Sequence, residues 1–409
     1  MHIWLFLTLL PFFFSTGSLH AFETAKVLPK GRSAIIMKNM FSKARYKTGS
    51  FGQKLPLSEP MQIKLTYQRI LDGESDPLKR KLLTSFLDAE GIGLEEDLGA
   101  YDGDFAMRLH VFAPVFLTGL TEKLSLLLVV PILDVSSAAT ISFKPHVQNQ
   151  KRLFATMMSP KYNQQGGAHK TAKILSDARG EYGRKLEENG YKELSTFSGY
   201  GLSDVQVGGI YQLLKDKDLL LSTSFGLVLP TGKVDDPDNL GDIPFGDGQF
   251  DVFAKLSVDE PLFSGIFFNQ FIQYTYQMAG KRKVRLSTER ELITPDTKVA
   301  RMKLGDKIDA GFSMQLEANN GMRAGLGFSY FKKWSDRFDV PKLVQKELAK
   351  ESSMEYVLGE IKIGYNTLNA VLRGDFLVPL GVSFGYQKQY YSRHYPVMDF
   401  AVIDFEMYF

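Results

Sequence analysis

Cysteine is absent from the 409 residues. That excludes disulfide frameworks, thiolate metal sites, cysteine nucleophiles and cysteine-linked lipid anchors together. A surplus of one charge is missing too. Lys plus Arg number 49 against 46 for Asp plus Glu, a net +3, too balanced for a phosphate-binding surface, so no nucleic-acid partner is expected. Past the first segment, no apolar run is long enough for a transmembrane helix. The longest, near Leu124 to Leu133, is interrupted by Pro131. Tryptophan is scarce at 2, whereas Phe reaches 31, Tyr 18 and Gly 36. With 23% charged and 44% apolar residues, this aromatic and glycine-rich mixture argues against disorder and favours strands over helices.

The first residues, MHIWLFLTLLPFFFSTGSLHA, combine an apolar stretch from Ile3 to Phe14 with small and polar residues up to Ala21. This is the pattern of a secretory signal peptide, although no Lys or Arg precedes the apolar stretch. The expected division is a signal peptide over 1–21 and a single barrel domain over 22–409.

Period two dominates the rest. The chain ends PVMDFAVIDFEMYF, in which Ala401, Ile403, Phe405, Met407 and Phe409 alternate with Val402, Asp404, Glu406 and Tyr408. Apolar-out, polar-in alternation over about ten residues is the mark of a transmembrane β-strand. The terminal Phe409 resembles the C-terminal signal by which bacterial outer-membrane barrels engage the barrel-assembly machinery. The pattern recurs at Phe105–Ala113, Leu219–Leu229, Phe250–Leu256, Ile308–Leu316 and Met322–Tyr330.

Twelve strands are expected, near 32–48, 104–116, 122–134, 199–213, 218–231, 248–258, 265–279, 303–317, 321–333, 354–366, 376–390 and 397–409. Met61–Tyr67 and Thr140–Phe143 could raise the number to fourteen. Long and short links alternate, as in barrels with short periplasmic turns and long extracellular loops. One of the short links is expected near Glu260. The fold class is therefore all-β, a transmembrane antiparallel up-and-down barrel in the bacterial outer membrane. Helical inserts are expected in its extracellular loops at 76–91, 169–189 and 340–350.

Alternation sets Arg108, His110, Asp204, Gln206, Asp251, Lys255, Lys307, Asp309, Glu317 and Arg323 facing inward as candidate lumen or constriction residues. Lys303, Glu360, Lys362, Asp399, Asp404 and Glu406 join them. Paired charges could fill the barrel or line a hydrated channel, and twelve strands permit either. The acidic run Asp235, Asp236, Asp238, Asp242, Asp247, Asp251 lacks EF-hand spacing and reads as a solvated extracellular loop. The basic run Lys281-Arg282-Lys283 with Arg285 reads as meeting lipopolysaccharide or solvent. His110, His146, His169 and His394 are dispersed, without the spacing of a zinc site or a Ser–His hydrolase. No catalytic residue, metal or cofactor is expected.

Two runs carry a family resemblance: GLSDVQVGGIYQLL from Gly201, and LSTSFGLVLPTGKVDDPDNLGDIPFGDGQFDVFAKLSV from Leu221. With PLGVSFGYQKQYYS from Pro379, they resemble the meta-pathway phenol-degradation family of outer-membrane proteins, related in architecture to fatty-acid transporters. The resemblance implies a channel or transporter for passive uptake of small hydrophobic or aromatic compounds. The helical inserts depart from a minimal barrel of that family. The alternative is a structural or surface-interaction barrel with a closed lumen. Membrane lipid, lipopolysaccharide and a small hydrophobic solute are the partners expected.

Overall fold

The computed structural model describes residues 24–59, 62–72, 77–149, 151, 184, 186–192, 197–288 and 293–409. The expected signal peptide lies outside these, as does most of the expected 169–189 helix. Twelve strands build the wall: β1 (Ser33–Ala44), β2 (Asp97–Gly119), β3 (Leu124–Val129, resumed at Ile132–Pro145) and β4 (Phe197–Leu202, resumed at Val205–Lys215). They continue as β5 (Leu220–Leu229), β6 (Asp251–Phe263), β7 (Ile266–Gln277) and β8 (Lys307–Glu317). The last four are β9 (Met322–Lys333), β10 (Met354–Asn366), β11 (Leu380–Arg393) and β12 (Phe400–Tyr408).

Each strand is antiparallel to its neighbours, and β1 pairs with both β12 and β2, so the sheet closes. Ser33 and Phe409 exchange backbone hydrogen bonds of 2.7 and 2.9 Å at the seam. Closure removes every wall edge, which lets a β-sheet sit in lipid without unsatisfied backbone groups. The wall has twelve strands, not fourteen. Ile63–Thr66 pairs with the upper end of β2, and residues 140–143 extend β3, so both lengthen the wall above the belt.

The links alternate as the sequence implies. The β6–β7 turn lies at Ser264-Gly265, not near Glu260, because β6 continues through Pro261 to Phe263. Gly265 supplies the positive φ of 77° that this tight turn needs. Two adjacent strands are broken at one level. β3 is interrupted at Val130-Pro131, where proline offers no N–H, and β4 at Ser203-Asp204. Ser203 N–H donates to the Pro131 carbonyl at 2.8 Å, carrying the pairing across both breaks.

The outer face is an apolar belt that includes Phe225, Val252, Ile272, Phe312, Leu326, Ile361, Phe384 and Phe405, all exposed. Tyrosines cap its extracellular side. Tyr274 donates to Asp306 at 2.8 Å, Tyr386 to Asp399 at 2.8 Å, and Tyr330 and Tyr391 to Glu355 at 3.2 and 2.9 Å. An apolar band topped by aromatic rings with polar tips matches a bilayer and its interface.

Helices form in the inserts. Pro77–Ala89 starts on proline, whose missing N–H costs nothing in a first turn, and Gly91 follows its end at φ 61°. Lys342–Leu348 is the helix expected over 340–350. Residues 186–188 are helical and stop at Gly190, φ 74°.

Candidate functional site: the barrel lumen and its inward-folded loop

The inner face is divided. From β6 to β12 it carries many polar residues, with Asp251, Asp259, Gln273, Gln277, Lys307, Asp309, Ser313, Gln315, Arg323, Lys362, Asp404 and Glu406 all pointing in and buried, and apolar Phe331, Tyr356, Leu358, Phe400 and Val402 among them. Charges there are paired across the strands: Lys307 with Asp251 at 3.2 Å, Arg323 with Glu406 at 2.9 Å, and Lys362 with Asp404. In a water-filled pore such side chains would be exposed. Asp251 at 1% and Lys307 at 4% show that this half is packed.

On β1 to β3 the inner face is mainly apolar. Met40 on β1, Phe105, Met107, Leu109, Val111 and Ala113 on β2, and Leu133 and Val135 on β3 point inward and form one buried cluster with Ile243 and Phe245. This reverses the expected facing of β2. The register pairs Ser42 with Leu109 and Phe41 with His110. Directly opposite residues share a face, so buried Ser42 turns Leu109 inward and exposed Phe41 turns His110 outward. The rings of Phe41 and His110 stack at 4.4 Å. Arg108 is likewise exposed, opposite Lys43. Arg108 and His110 are therefore outer-face residues.

Ile243 and Phe245 belong to the β5–β6 loop, residues 230–250, which the sequence pattern alone places in solvent. It folds inward instead, and residues 240–247 are buried without exception. Asp204, at the β4 break, holds both of its limbs. One carboxylate oxygen accepts Gly232 N–H at 2.9 Å, and the other accepts Asp247 N–H at 3.0 Å. Thr231 Oγ1 adds a bond to the Ser203 carbonyl at 2.7 Å and accepts Val205 N–H at 2.9 Å. Gly201 leaves room for the Phe245 ring, since a Cβ there would stand 2.8 Å from it. Burial, with the nearby Asp251 and Asp204 carboxylates, pushes Asp247 up to about 7, partly offset by Lys307.

The loop's acidic residues are matched by the basic run of the β7–β8 hairpin. Lys283 and Arg285 both bond Asp238 at 2.7 Å, and Arg282 meets Asp235. Lys192 bonds Asp236 at 2.6 Å and Lys233 approaches Asp242 at 3.3 Å. Neither run is a free surface. The lipopolysaccharide contact expected of the basic run gives way, at Arg282, Lys283 and Arg285, to a contact with the acidic loop.

At the opposite end, the segment before β1 enters the lumen. Thr24 Oγ1 and Ala25 N–H donate to Asp259 at 2.5 and 2.9 Å, Gln212 donates to the Ala25 carbonyl at 3.2 Å, and Leu28 N–H donates to Ser125 at 2.9 Å. Lys26 reaches Glu317 at 3.5 Å. The lumen is covered at both ends.

The remaining expected residues divide as follows. Gln206 is buried on the inner face beside the latch. Lys255 turns inward and lies over the Phe271 ring at 4.5 Å, and Asp309 is buried on β8. Glu360 stands opposite the buried Gln387 on the inner face. Lys303 and Asp399 leave the inward set: Lys303 stands over Tyr276 on the rim, and Asp399 accepts from Tyr386. Ser50 and His394 lie 2.9 Å apart, but the other imidazole nitrogen faces the Ser353 carbonyl, not a carboxylate. Among the described residues no His, Asp and Glu cluster is arranged to hold a metal. Sequence reasoning missed the inward loop and the apolar lining. The two aromatic-and-glycine stretches, GYGL at 199–202 and DIPFGDG at 242–248, are the signals that could have found them.

No protein-family model matches the chain, and no curated protein matches it. Among solved structures, an outer membrane channel from Pseudomonas putida F1 is similar at 10% identity, over 94% of this chain and 98% of that one, with a TM-score of 0.53. A Pseudomonas aeruginosa FadL homologue (8% identity, 92% and 90% covered) and the P. putida toluene transporter TodX (11%, 93% and 91%) score 0.35 and 0.34. Those two lower scores add nothing to the fold assignment. At 10% identity the first likeness shows the fold alone: the closed barrel of an outer membrane channel.

Proposed function

We propose that this barrel, in the bacterial outer membrane, admits small hydrophobic or aromatic compounds passively, the structure being its closed conformation. The observation that carries the reading is the apolar lining of β1, β2 and β3. A barrel interior that served only water and ions would gain nothing from Met107, Leu109, Val111, Leu133 and Val135. Here they make an apolar surface inside the wall, occupied by Ile243 and Phe245 of the loop. A hydrophobic solute would take the place of those two side chains when the loop moves. Burial of an aromatic ring against such a surface is worth about 25 cal/mol per Å². Asp204, Gln206, Asp251 and Lys307 would set the latch at the loop's base. No chemical step is involved.

Single-channel recording in a planar bilayer tests this, with and without a dissolved phenol. Current that the phenol reduces supports a solute path. A second reading, a structural barrel with a permanently closed lumen, is favoured by the buried ion pairs of β6 to β12. It predicts no current under any condition while heat-modifiable gel mobility persists.

A further inference from the structure

Most exposed lysines along the upper wall stand within ion-pair distance of a carboxylate, and one opposed pair of cations does not. Around β7 to β11, three lysines have one: Lys303 with Asp306 at 3.5 Å, Lys332 with Glu355 at 3.9 Å, and Lys388 with Asp399 at 3.8 Å. On β1 and β2, Lys43 and Arg108 stand directly opposite one another in the register. Both are exposed, and among the described residues neither has an ion-pair partner. Two carboxylates neighbour the pair without an ion-pair contact to it: Asp134 is diagonal to Arg108 on β3, and Asp399, whose carbonyl accepts from Ser42, lies beside Lys43 with its carboxylate held by Tyr386 and Gln389.

Two like charges opposite on adjacent strands have Cβ atoms about 5 Å apart and repel. A bound anion between them would relieve that repulsion. The position identifies the anion's source. Reading upward along β2, the outer face runs Phe116, Pro114, Phe112, His110, Arg108 and then Ala106 and Asp104. Along β1 it runs Ile35, Met37, Asn39, Phe41 and Lys43. The Phe41–His110 stack is thus the top aromatic layer, and the cationic pair is the first charge above it. Arg108 lies about ten residues above the periplasmic end of β2, roughly 25 Å with the usual strand tilt, which is the height of the apolar band.

We propose that Lys43 and Arg108 form a docking site for the phosphate of an outer-leaflet glycolipid, with the Phe41–His110 face packing beside its acyl chains. A guanidinium binds phosphate through paired N–H donors and the ammonium adds a second charge-assisted bond. The site takes over from Arg282, Lys283 and Arg285 as a contact with lipopolysaccharide, since those three are committed to the acidic loop. The proposal rests on the outer-membrane placement but not on transport, because both residues lie outside the lumen.

The test uses the full refolded chain in detergent with bis-phosphorylated lipid A as probe, and measures lipid retained per protein after gel filtration. The expected result is retention by the wild type, about a tenfold loss in K43Q/R108Q, and no loss in K388Q, whose lysine already has a partner. Dephosphorylated lipid A should be retained poorly by all three. Equal retention by wild type and double variant overturns the site. So does equal retention of dephosphorylated lipid, or displacement of lipid A by inorganic phosphate at the same concentration. Heat-modifiable mobility verifies that each variant is folded. Channel recordings on K43Q/R108Q should match wild type, which separates this site from the solute path.

Discussion

Arg285 and Asp238 are joined by two hydrogen bonds, Nη2 to Oδ1 at 2.7 Å and Nε to Oδ1 at 3.1 Å, although they belong to different loops. The same guanidinium donates to the carbonyls of Asn189, Gly190, Thr294 and Pro237, and it stacks on the Tyr191 ring at 3.6 Å. One buried side chain therefore ties three loops into a cap.

Arg285→Met should loosen that cap. It leaves four carbonyls without their donor and Asp238 with Lys283 alone, and a buried acceptor left unsatisfied costs about 1–3 kcal/mol. The barrel wall does not depend on these bonds. Limited proteolysis should therefore cut within the extracellular loops of the variant, while its heat-modifiable mobility stays that of the wild type.

Asp204→Ala removes the acceptor shared by Gly232 N–H and Asp247 N–H. Hydrogen bonds to a charged group are worth about 1.5–3 kcal/mol each, enough to shift the loop toward release. Open probability in planar bilayers should rise at least tenfold, and Asp204→Asn should give a smaller rise because its side-chain oxygen still accepts one bond.

Closure should weaken as pH rises from about 4 to about 7. Asp247 is held up near 7 in the folded loop by burial and by Asp251 and Asp204, with Lys307 opposing. The folded, inward loop thus binds more protons than the released one between about pH 4 and pH 7. The stability this contributes is fully present below that window, declines across it and is lost once pH passes about 7. Channel activity at pH 8 should exceed that at pH 5, and Asp247→Asn should flatten the profile by removing the titrating group.

The wall was legible because strand period and link length are local properties. Tight turns such as Asn319-Asn320-Gly321 and long inserts such as 334–353 mark the strand ends whichever face points out, while the choice between twelve and fourteen needs the pairing of Ile63–Thr66 and residues 140–143 with β2. Facing is another matter. Alternation gives two faces and not their sides, and a wrong choice inverts every side chain of a strand. At Phe105–Ala113 alternation alone assigns the apolar face to lipid, whereas the partner that buries it is Phe245, far along the chain. Arg108 and His110 turn outward for the same reason. The inward loop is obscured by its own acidity. Asp235, Asp236 and Asp238 look solvated until Lys192, Arg282, Lys283 and Arg285 are brought against them, and that pairing is a property of the closed barrel. Asp204 is readable as a special position, but its partners, two backbone N–H groups of a loop, carry no sequence signal.

The central claim is that the apolar interior of β1, β2 and β3 carries hydrophobic solutes. The most direct measurement is uptake of a radiolabelled small aromatic hydrocarbon by cells producing the wild-type barrel, Leu109→Glu/Val111→Glu, or no barrel, with surface levels matched. The account predicts faster uptake with the wild type than without the barrel, and a return to the background rate in the double variant. Equal uptake in all three would contradict it and leave a barrel whose lumen carries no solute.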